Sequence, residues 1–270
     1  LLCVDVGLFA IAVARGPEWL HLVGGLSTVM VFVTWIGVSY QYSLAWPAIL
    51  WLVALFALFY LAAPFVARWF RRGFKDLGTR AAFAAPLLLF VFPVLAQIEP
   101  ETAAPGLLFG VLFVLLAASA AVAIVEEAGA IHFLGAFFAV SAEAVWSRAH
   151  LTEERLLPAL ARYAGFAVLY LGVPILARRW QKTLRPEGSG AVLLLVSLAL
   201  LLFLAAGPAA QAALWGISLL LLILNAGLFL EGATSRNPVI SIAGIALSWA
   251  VLAVWWATAT ITALLVPALI

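Results

Sequence analysis

The sequence has few of the residues that soluble enzymes use for chemistry. Its 270 residues include one cysteine, Cys3, and three scattered histidines, which excludes an internal disulfide and a cysteine-based metal site. It contains no HExxH, GxSxG, Walker A or GxGxxG motif, and residues 186–190 are typical of a loop before a helix rather than of a phosphate-binding loop. We therefore expect no metal site and no cofactor.

Charged residues are also scarce. Only 10% of the residues are Asp, Glu, Lys or Arg, 67% are hydrophobic, and the mean hydropathy is +1.19. A soluble domain could not hide this much apolar surface, because most of a folded surface meets water. Apolar stretches long enough to cross about 30 Å of hydrocarbon lie at residues 20–40, 47–67, 81–98, 106–125, 129–147, 156–177, 190–207, 211–230 and 239–257, with a shorter one at 1–14. The sequence therefore predicts an all-α integral membrane protein with about ten transmembrane helices.

The basic residues predict which loops face the cytoplasm. If the loops 68–80 and 178–189 are cytoplasmic, most of the 14 lysines and arginines lie on that side, as the positive-inside rule requires. The acidic residues Glu99 and Glu101 then lie on the opposite side. We expect a bacterial inner (cytoplasmic) membrane protein whose partners are the lipid bilayer and other membrane subunits. The net charge of +2 reflects sidedness and gives no indication of nucleic-acid binding.

A Gly-Trp-Pro triplet recurs with constant spacing, 11 residues from Gly to Trp and 12 from Trp to Pro. Its copies are Gly24–Trp35–Pro47, Gly135–Trp146–Pro158 and Gly244–Trp255–Pro267. A fixed period of about 110 residues indicates a repeat array, and four helices per unit, an even number, predict parallel copies. We expect the last helix of a preceding repeat at 1–19, repeat one at 20–130, repeat two at 131–239 and a truncated third repeat at 240–270, in a segment of a longer chain.

Helix geometry gives the triplet a structural interpretation. Eleven residues are three helical turns, so Gly and Trp share one helix face. Glycine there allows a neighbouring helix to approach closely, and tryptophan near the outer end suits the membrane interface. Proline twelve residues later is expected in the first turn of the next helix. Repeat-to-repeat packing is the favoured role, and a binding role is the alternative.

Polar residues within the membrane are better functional candidates, since a charge in hydrocarbon costs at least a few kcal/mol. Asp5 is expected near mid-depth, and its repeat counterpart is Asn225, with Ser119 as the middle copy if a short gap is allowed. Both Asp5 and Asn225 are candidate binding residues. Because Asn can form the same hydrogen bonds across helices, a polar packing contact beside Gly7 and Gly227 is the favoured interpretation, with binding as the alternative.

Glu143 and Arg162 form a second candidate pair on consecutive antiparallel helices. At similar depth they could form an ion pair, or each side chain could extend separately to the outer interface. With His150, Glu153 and Glu154 they would make a polar cluster at the outer face.

Two histidines occupy equivalent positions of the predicted repeat. His21 and His132 align with Ser241, and a serine in the third copy favours an interfacial hydrogen bond over a haem or pigment ligand. The neighbouring Glu126 and Glu127 are expected in a solvated turn.

Several of these features together resemble a known family. The run from Arg15 to Leu20 leads into a span, followed by Trp35, Tyr40 and the Gly-Trp-Pro spacing. This pattern is similar to the bacterial polytopic membrane proteins grouped as domain of unknown function 2339. Members of that family are much longer and often begin with a coiled coil, which this chain lacks. The resemblance implies no activity and no catalytic residues.

Three functions are compatible with these residues. A carrier or flippase for a small or lipidic solute fits the parallel repeats and the intramembrane polar groups. A non-catalytic scaffold or accessory subunit of a larger membrane complex fits the scarcity of ionisable residues. A membrane enzyme acting on lipid-linked substrate at the outer face would depend on Glu143, Arg162 and the His150 cluster, and we favour a non-enzymatic role over it.

Overall fold

The computed structural model of the chain describes residues 1–40, 46–71, 74, 76–184, 189–207, 214–235 and 238–258. Across these residues the regular structure is helical, with no β-strand. The α-helices are α1 (Leu2–Arg15), α2 (Trp19–Ser39), α3 (Trp46–Trp69), α4 (Asp76–Arg80), α5 (Ala84–Leu88), α6 (Val91–Ile98), α7 (Gly106–Val125), α8 (Gly129–His150), α9 (Glu153–Arg179), α10 (Ser189–Ala205), α11 (Leu214–Ser235) and α12 (Pro238–Thr258). The predicted all-α fold class is confirmed for this part of the chain.

Eight helical segments in the described ranges are long and apolar enough to cross a membrane. They comprise α2, α3, the segment Gly78–Ile98, α7, α8, α9 and most of α11 and α12. The chain is therefore a multi-pass helical membrane protein, as its composition predicts. Two further helices are shorter: α1 has 14 residues and α10 has 17. At 1.5 Å per residue they rise about 21 and 26 Å, less than the hydrocarbon thickness, so the count of about ten spans stays a prediction.

The span predicted at 81–98 is a broken helix. It consists of α4, a 3-10 turn at Ala81–Phe83, α5 and α6. Pro93 has no N–H to donate to the carbonyl of Leu89, four residues earlier. That carbonyl instead accepts a bond from Phe92 N at 3.1 Å. The regular ladder is consequently interrupted between α5 and α6, at the residues just before Pro93.

The chain divides into two compact units, residues 1–139 and 140–270, with the boundary inside α8. In the first unit α1 packs on α2, α2 packs on α4 and α5, and α3 packs on α5 and α7. The buried stripe of α3 contains Leu50, Val53, Ala57 and Tyr60, spaced three and four residues apart as one helix face requires.

The second unit has its own core. Helices α10, α11 and α12 each pack on the other two, and α9 packs on α10 and α11. Leu194, Leu198 and Leu201 of α10 are buried there together with Leu224 of α11. The repeat boundaries at residues 20, 131 and 240 stay predictions, since compactness alone does not reveal a repeat.

Candidate functional site

Glu143 is a carboxylic acid buried within a membrane-spanning helix. It lies on α8 and only 2% of its surface is exposed. Ser147, one turn later on the same face, donates to the Glu143 backbone carbonyl at 2.7 Å, and the Tyr163 hydroxyl of α9 lies 3.2 Å from that carbonyl. Tyr163 and Ser147 are also joined, at 2.6 Å between their oxygens. These bonds fix α9 against α8 around the acid.

The carboxyl group of Glu143 faces a second tyrosine and a small cavity. Tyr170, two turns beyond Tyr163 on α9, places its hydroxyl beside the carboxyl, but Glu143 Oε1 accepts no hydrogen bond from a described residue. A cavity of about 10 Å³ adjoins Glu143, close to the smallest volume that holds one water molecule. Tyr163 and Ser197 also line it, and leucines of α10 and α11 with Ala167 complete its wall.

The ion pair between Glu143 and Arg162, one of the two alternatives for these residues, is not formed. The ion pairs among the described residues are Arg68–Glu126 and, at 3.0 Å, Arg178–Glu231. Neighbouring residues of a helix point about 100° apart, and Tyr163 is the residue that turns toward α8. Tyr163, and not Arg162, is therefore the α9 side chain that contacts Glu143 at this point. Extension of Glu143 to the interface is excluded by its burial.

The residues of the polar cluster predicted at the outer face lie at the end of α8 and in the first turn of α9. Glu153 and Glu154 are exposed in the first turn of α9, and His150 is half-buried at the end of α8. Arg155 Nη1 donates to the His150 backbone carbonyl at 3.3 Å. Glu143 is two turns from His150 along α8, about 10 Å of helix rise. Among the residues that the structure describes, no three His, Cys, Asp or Glu side chains could hold a metal ion.

Asp5 is the second buried acid, and it is hydrogen-bonded. It is 2% exposed on α1, and Thr28 Oγ1 of α2 donates to its Oδ2 at 2.6 Å. The Tyr60 hydroxyl of α3 lies 3.3 Å from Thr28 Oγ1. The side chains therefore join three helices, as expected of a polar packing contact. Of these three residues, only Asp5 could be identified from the sequence, because a single Thr or Tyr in an apolar helix gives no specific signal.

Asn225 makes a related contact between α11 and α12. Ser248 Oγ donates to Asn225 Oδ1 at 2.8 Å, and Asn225 Nδ2 donates to the Leu221 carbonyl at 2.9 Å. Ser119, the middle position of the predicted repeat, donates to Leu115 O at 2.8 Å within α7. Hydrogen bonding thus accounts for the polar groups that were aligned with Asp5.

His21 lies within a group of aromatic rings. It is 1% exposed and its ring is 5.3 Å from Tyr60 and 5.5 Å from Phe74 in stacked geometry, with Phe9 edge-on at 5.2 Å. His21 Nε2 has no hydrogen-bond partner among the described residues. His132 is also buried. Aromatic rings therefore surround His21, and its Nε2 does not form the interfacial hydrogen bond expected from sequence.

The glycines of the repeated triplet lie at close helix approaches. A Cβ on Gly24 would be 3.2 Å from Leu8 Cδ1, one on Gly135 would be 3.0 Å from Leu116 Cδ1, and one on Gly244 would be 2.9 Å from Leu228 Cδ1. Each leucine is on the preceding long helix. The contacts agree with the packing interpretation of these glycines.

The tryptophans of the triplet differ in burial, and its prolines differ in their positions within helices. Trp35 is 39% exposed, but Trp146 and Trp255 are buried in the protein instead of facing the interface, since neighbouring helices cover them. Pro47 lies in the first turn of α3. Pro158 is the sixth residue of α9, because that helix begins earlier, at Glu153 and Glu154, whose charges favour a helix N-terminus. Pro267 lies outside the described residues.

Two further carboxylates are held by aromatic donors near the ends of α2, α3 and α6. Tyr40 donates to Glu99 Oε2 at 2.7 Å, and Trp46 Nε1 donates to Glu101 Oε2 at 2.7 Å. Glu99 is buried, and its carbonyl accepts a bond from Thr102 Oγ1 at 2.6 Å. The sequence predicts both glutamates in an acidic loop but does not indicate these hydrogen-bond partners.

Tyr40 provides a pH-dependent test of this contact. Burial and then the neighbouring Glu99 carboxylate raise the pKa of the Tyr40 phenol well above its usual 10. A raised pKa means that the folded state holds the phenol proton more tightly than the unfolded state does. The resulting stabilisation of the folded state is complete below about pH 10 and is lost as the pH rises through the raised pKa. We expect the phenolate absorbance that distinguishes wild type from Tyr40→Phe to develop only above pH 10. Glu99→Gln should move its midpoint down toward 10, and a wild-type midpoint at or below 10 would contradict the contact.

Comparison with known proteins does not assign the chain to a family. No family model, no curated protein and no solved structure matches the chain. The resemblance to the family grouped as domain of unknown function 2339 stays a prediction based on the residues from Arg15 to Tyr40 and on the triplet spacing.

Proposed function

We propose that the protein is a membrane carrier for a small or lipidic solute. The observation that carries this proposal is Glu143, an acid buried in a spanning helix beside a cavity and without a cationic partner among the described residues. Ionisable groups in a membrane are costly and concentrate at ion and substrate pathways. The four helices around the cavity, α8 to α11, would separate to admit the solute.

We also propose that the chain contains sequence repeats of about 110 residues, at 20–130 and 131–239. Two matched contacts support this. Arg68 at the end of α3 pairs with Glu126 after α7, and Arg178 at the end of α9 pairs with Glu231 of α11, while α3 packs on α7 and α9 packs on α11. Arg71 and Gln181, 110 residues apart, both have φ of 57° just after these helices end.

The orientation follows from the basic loops. With 68–80 and 178–189 facing the cytoplasm, both arginine–glutamate pairs would lie at the inner ends of their helices. We propose a location in the bacterial inner membrane on this basis. Lipid would then cover the exposed apolar surface, which includes Trp51, Trp215 and Trp249.

Thiol labelling tests the carrier proposal without knowledge of the solute. Cys3 is exposed and is the sequence's one cysteine, so Cys3→Ser provides a cysteine-free background. Leu200→Cys places a thiol at the cavity wall. A carrier must open its cavity to water on each side in turn, so a charged, membrane-impermeant thiol reagent should label Leu200→Cys in both right-side-out and inside-out vesicles.

The matched control is Leu112→Cys, since Leu112 is fully buried on α7 and lines no part of this cavity. Leu200→Cys is expected to react at least about tenfold faster than this control from both sides. Labelling from neither side above the control rate would contradict the carrier proposal.

A scaffold or accessory subunit of a larger membrane complex is the second candidate. The hydrogen bonds between Asp5 and Thr28 and between Asn225 and Ser248 favour it, because these polar groups are already used for packing. This function predicts that the thiol at Leu200→Cys stays unreactive and that the protein requires another subunit for stability. A stable monomer in lipid nanodiscs, purified without a partner, would contradict it.

A further inference from the structure

The cavity beside Glu143 combines a buried acid with a place for a small ligand. Glu143 Oε1 has less than 1 Å² of accessible surface and no hydrogen-bond partner among the described residues. Tyr163 and Ser197 supply the other polar side chains of the wall. Ser197 Oγ donates to the Leu193 carbonyl at 2.9 Å, which leaves its lone pairs able to accept. A buried acceptor, a hydroxyl and space for one small molecule therefore meet at one point.

A charged carboxylate at this position would have no cationic partner among the described residues. The titratable groups that face Glu143 from α9 are Tyr163 and Tyr170, which are neutral at pH 7. Helix α10 contributes Ser197, and α11 contributes Leu220 and Leu224. An isolated buried carboxylate is so costly that such groups take up a proton instead.

The wall is too poor in oxygen for a metal cation. Hard cations take about six or more oxygen ligands, whereas three polar side chains line this cavity and the remaining wall is leucine and alanine. One water molecule needs only two to four polar partners. The lining therefore fits a proton on the acid and a single water better than it fits a metal ion.

We propose that Glu143 and this cavity form a proton-binding site in which the protonated carboxyl is linked by one water molecule to Ser197. The proton is the ligand, carried on the carboxyl oxygen, and the water provides the first step of its entry and release. This proton site does not depend on the carrier proposal, because a protein that transports no solute could still bind the proton.

Infrared spectroscopy of the full chain in lipid tests the proposal. At pH 7, the difference spectrum between wild type and Glu143→Gln should contain one carbonyl band of a protonated carboxylic acid, and this band should shift in D₂O. Glu153→Gln, which removes an exposed acid, should retain the band. Glu143→Asp, which keeps a carboxyl, should show it at a shifted frequency and covers the case in which the Gln variant fails to fold.

Two results would overturn the proposal. One is the absence of this band from wild type. The other is a carboxylate signal assigned to Glu143 that changes on replacing potassium with sodium, which would indicate a cation site. The measurement includes no transport step, so its outcome is separate from that of thiol labelling.

The water is tested by removing a hydroxyl. Ser197→Ala removes the hydrogen-bond partner of the water. The protonated carboxyl band should shift to higher frequency, because a carbonyl with weaker hydrogen bonding vibrates at higher frequency. Ser119→Ala removes a buried serine of α7 that is not at this cavity and should leave the band unmoved. An identical band in Ser197→Ala and Ser119→Ala would overturn the water-linked arrangement.

Discussion

Replacement of Trp146 by alanine is expected to lower the free energy of unfolding by about 3–5 kcal/mol, the usual cost of removing a large aromatic side chain from a core. Trp146 is 0% exposed on α8, so its removal leaves a cavity that rigid helices can only partly close. Lipid tails give no hydrophobic drive for helices to associate, and van der Waals packing is therefore a main source of their stability. The change should appear as a lower unfolding midpoint in detergent titrations.

Trp35→Ala is the matched control, since Trp35 occupies the same place in the triplet but is 39% exposed. Its cost is expected to be under about 1 kcal/mol, as for surface substitutions. Equal losses for the two variants would contradict the burial of Trp146 and would favour an interfacial anchoring role for both.

Gly24→Leu is expected to destabilise the first unit by about 2 kcal/mol or more, from overpacking and from disturbance of a buried polar contact. A Cβ at Gly24 would already lie 3.2 Å from Asp5 Oδ1 and from Leu8 Cδ1, and 3.7 Å from the Tyr60 hydroxyl. A leucine there must push α1 away and separate Asp5 from Thr28. Thermal unfolding in lipid nanodiscs measures the effect.

Gly37→Leu serves as the control on the same helix, because a Cβ at Gly37 meets nothing within 4 Å. Leucine has the higher helix propensity, by up to about 1 kcal/mol, so this variant should be neutral or slightly stabilised. If Gly24→Leu is tolerated as well as Gly37→Leu, the close approach of α1 and α2 is not important for stability.

The positions of most helices could be predicted because hydropathy depends on local composition. The span expected at 20–40 is α2 at Trp19–Ser39, and the span expected at 106–125 is α7 at Gly106–Val125. The positions at which helices break or begin were less predictable. Pro93 interrupts its span and Pro158 does not start α9, since the effect of a proline depends on how neighbouring backbone groups are satisfied.

Only part of the candidate site could be identified from the sequence. An acid in an apolar helix is conspicuous, so Asp5 and Glu143 could be identified from composition alone. Their partners could not, because a tyrosine or serine in an apolar helix is compatible with many faces and depths. An ion pair of Glu143 with Arg162 was one of two alternatives, and the rotation of α9 turns Tyr163 toward Glu143 instead.

The sequence by itself determined that this is a helical membrane protein, because the apolar fraction leaves no soluble alternative and the bilayer requires satisfied backbone bonds. It also determined which few polar groups must lie among apolar neighbours. Only the tertiary structure decided that Asp5 is satisfied by Thr28 while Glu143 Oε1 faces a cavity. The reason is physical: the rotation and depth of packed helices are set by side chains distant in sequence, and those contacts decide which buried group finds a partner.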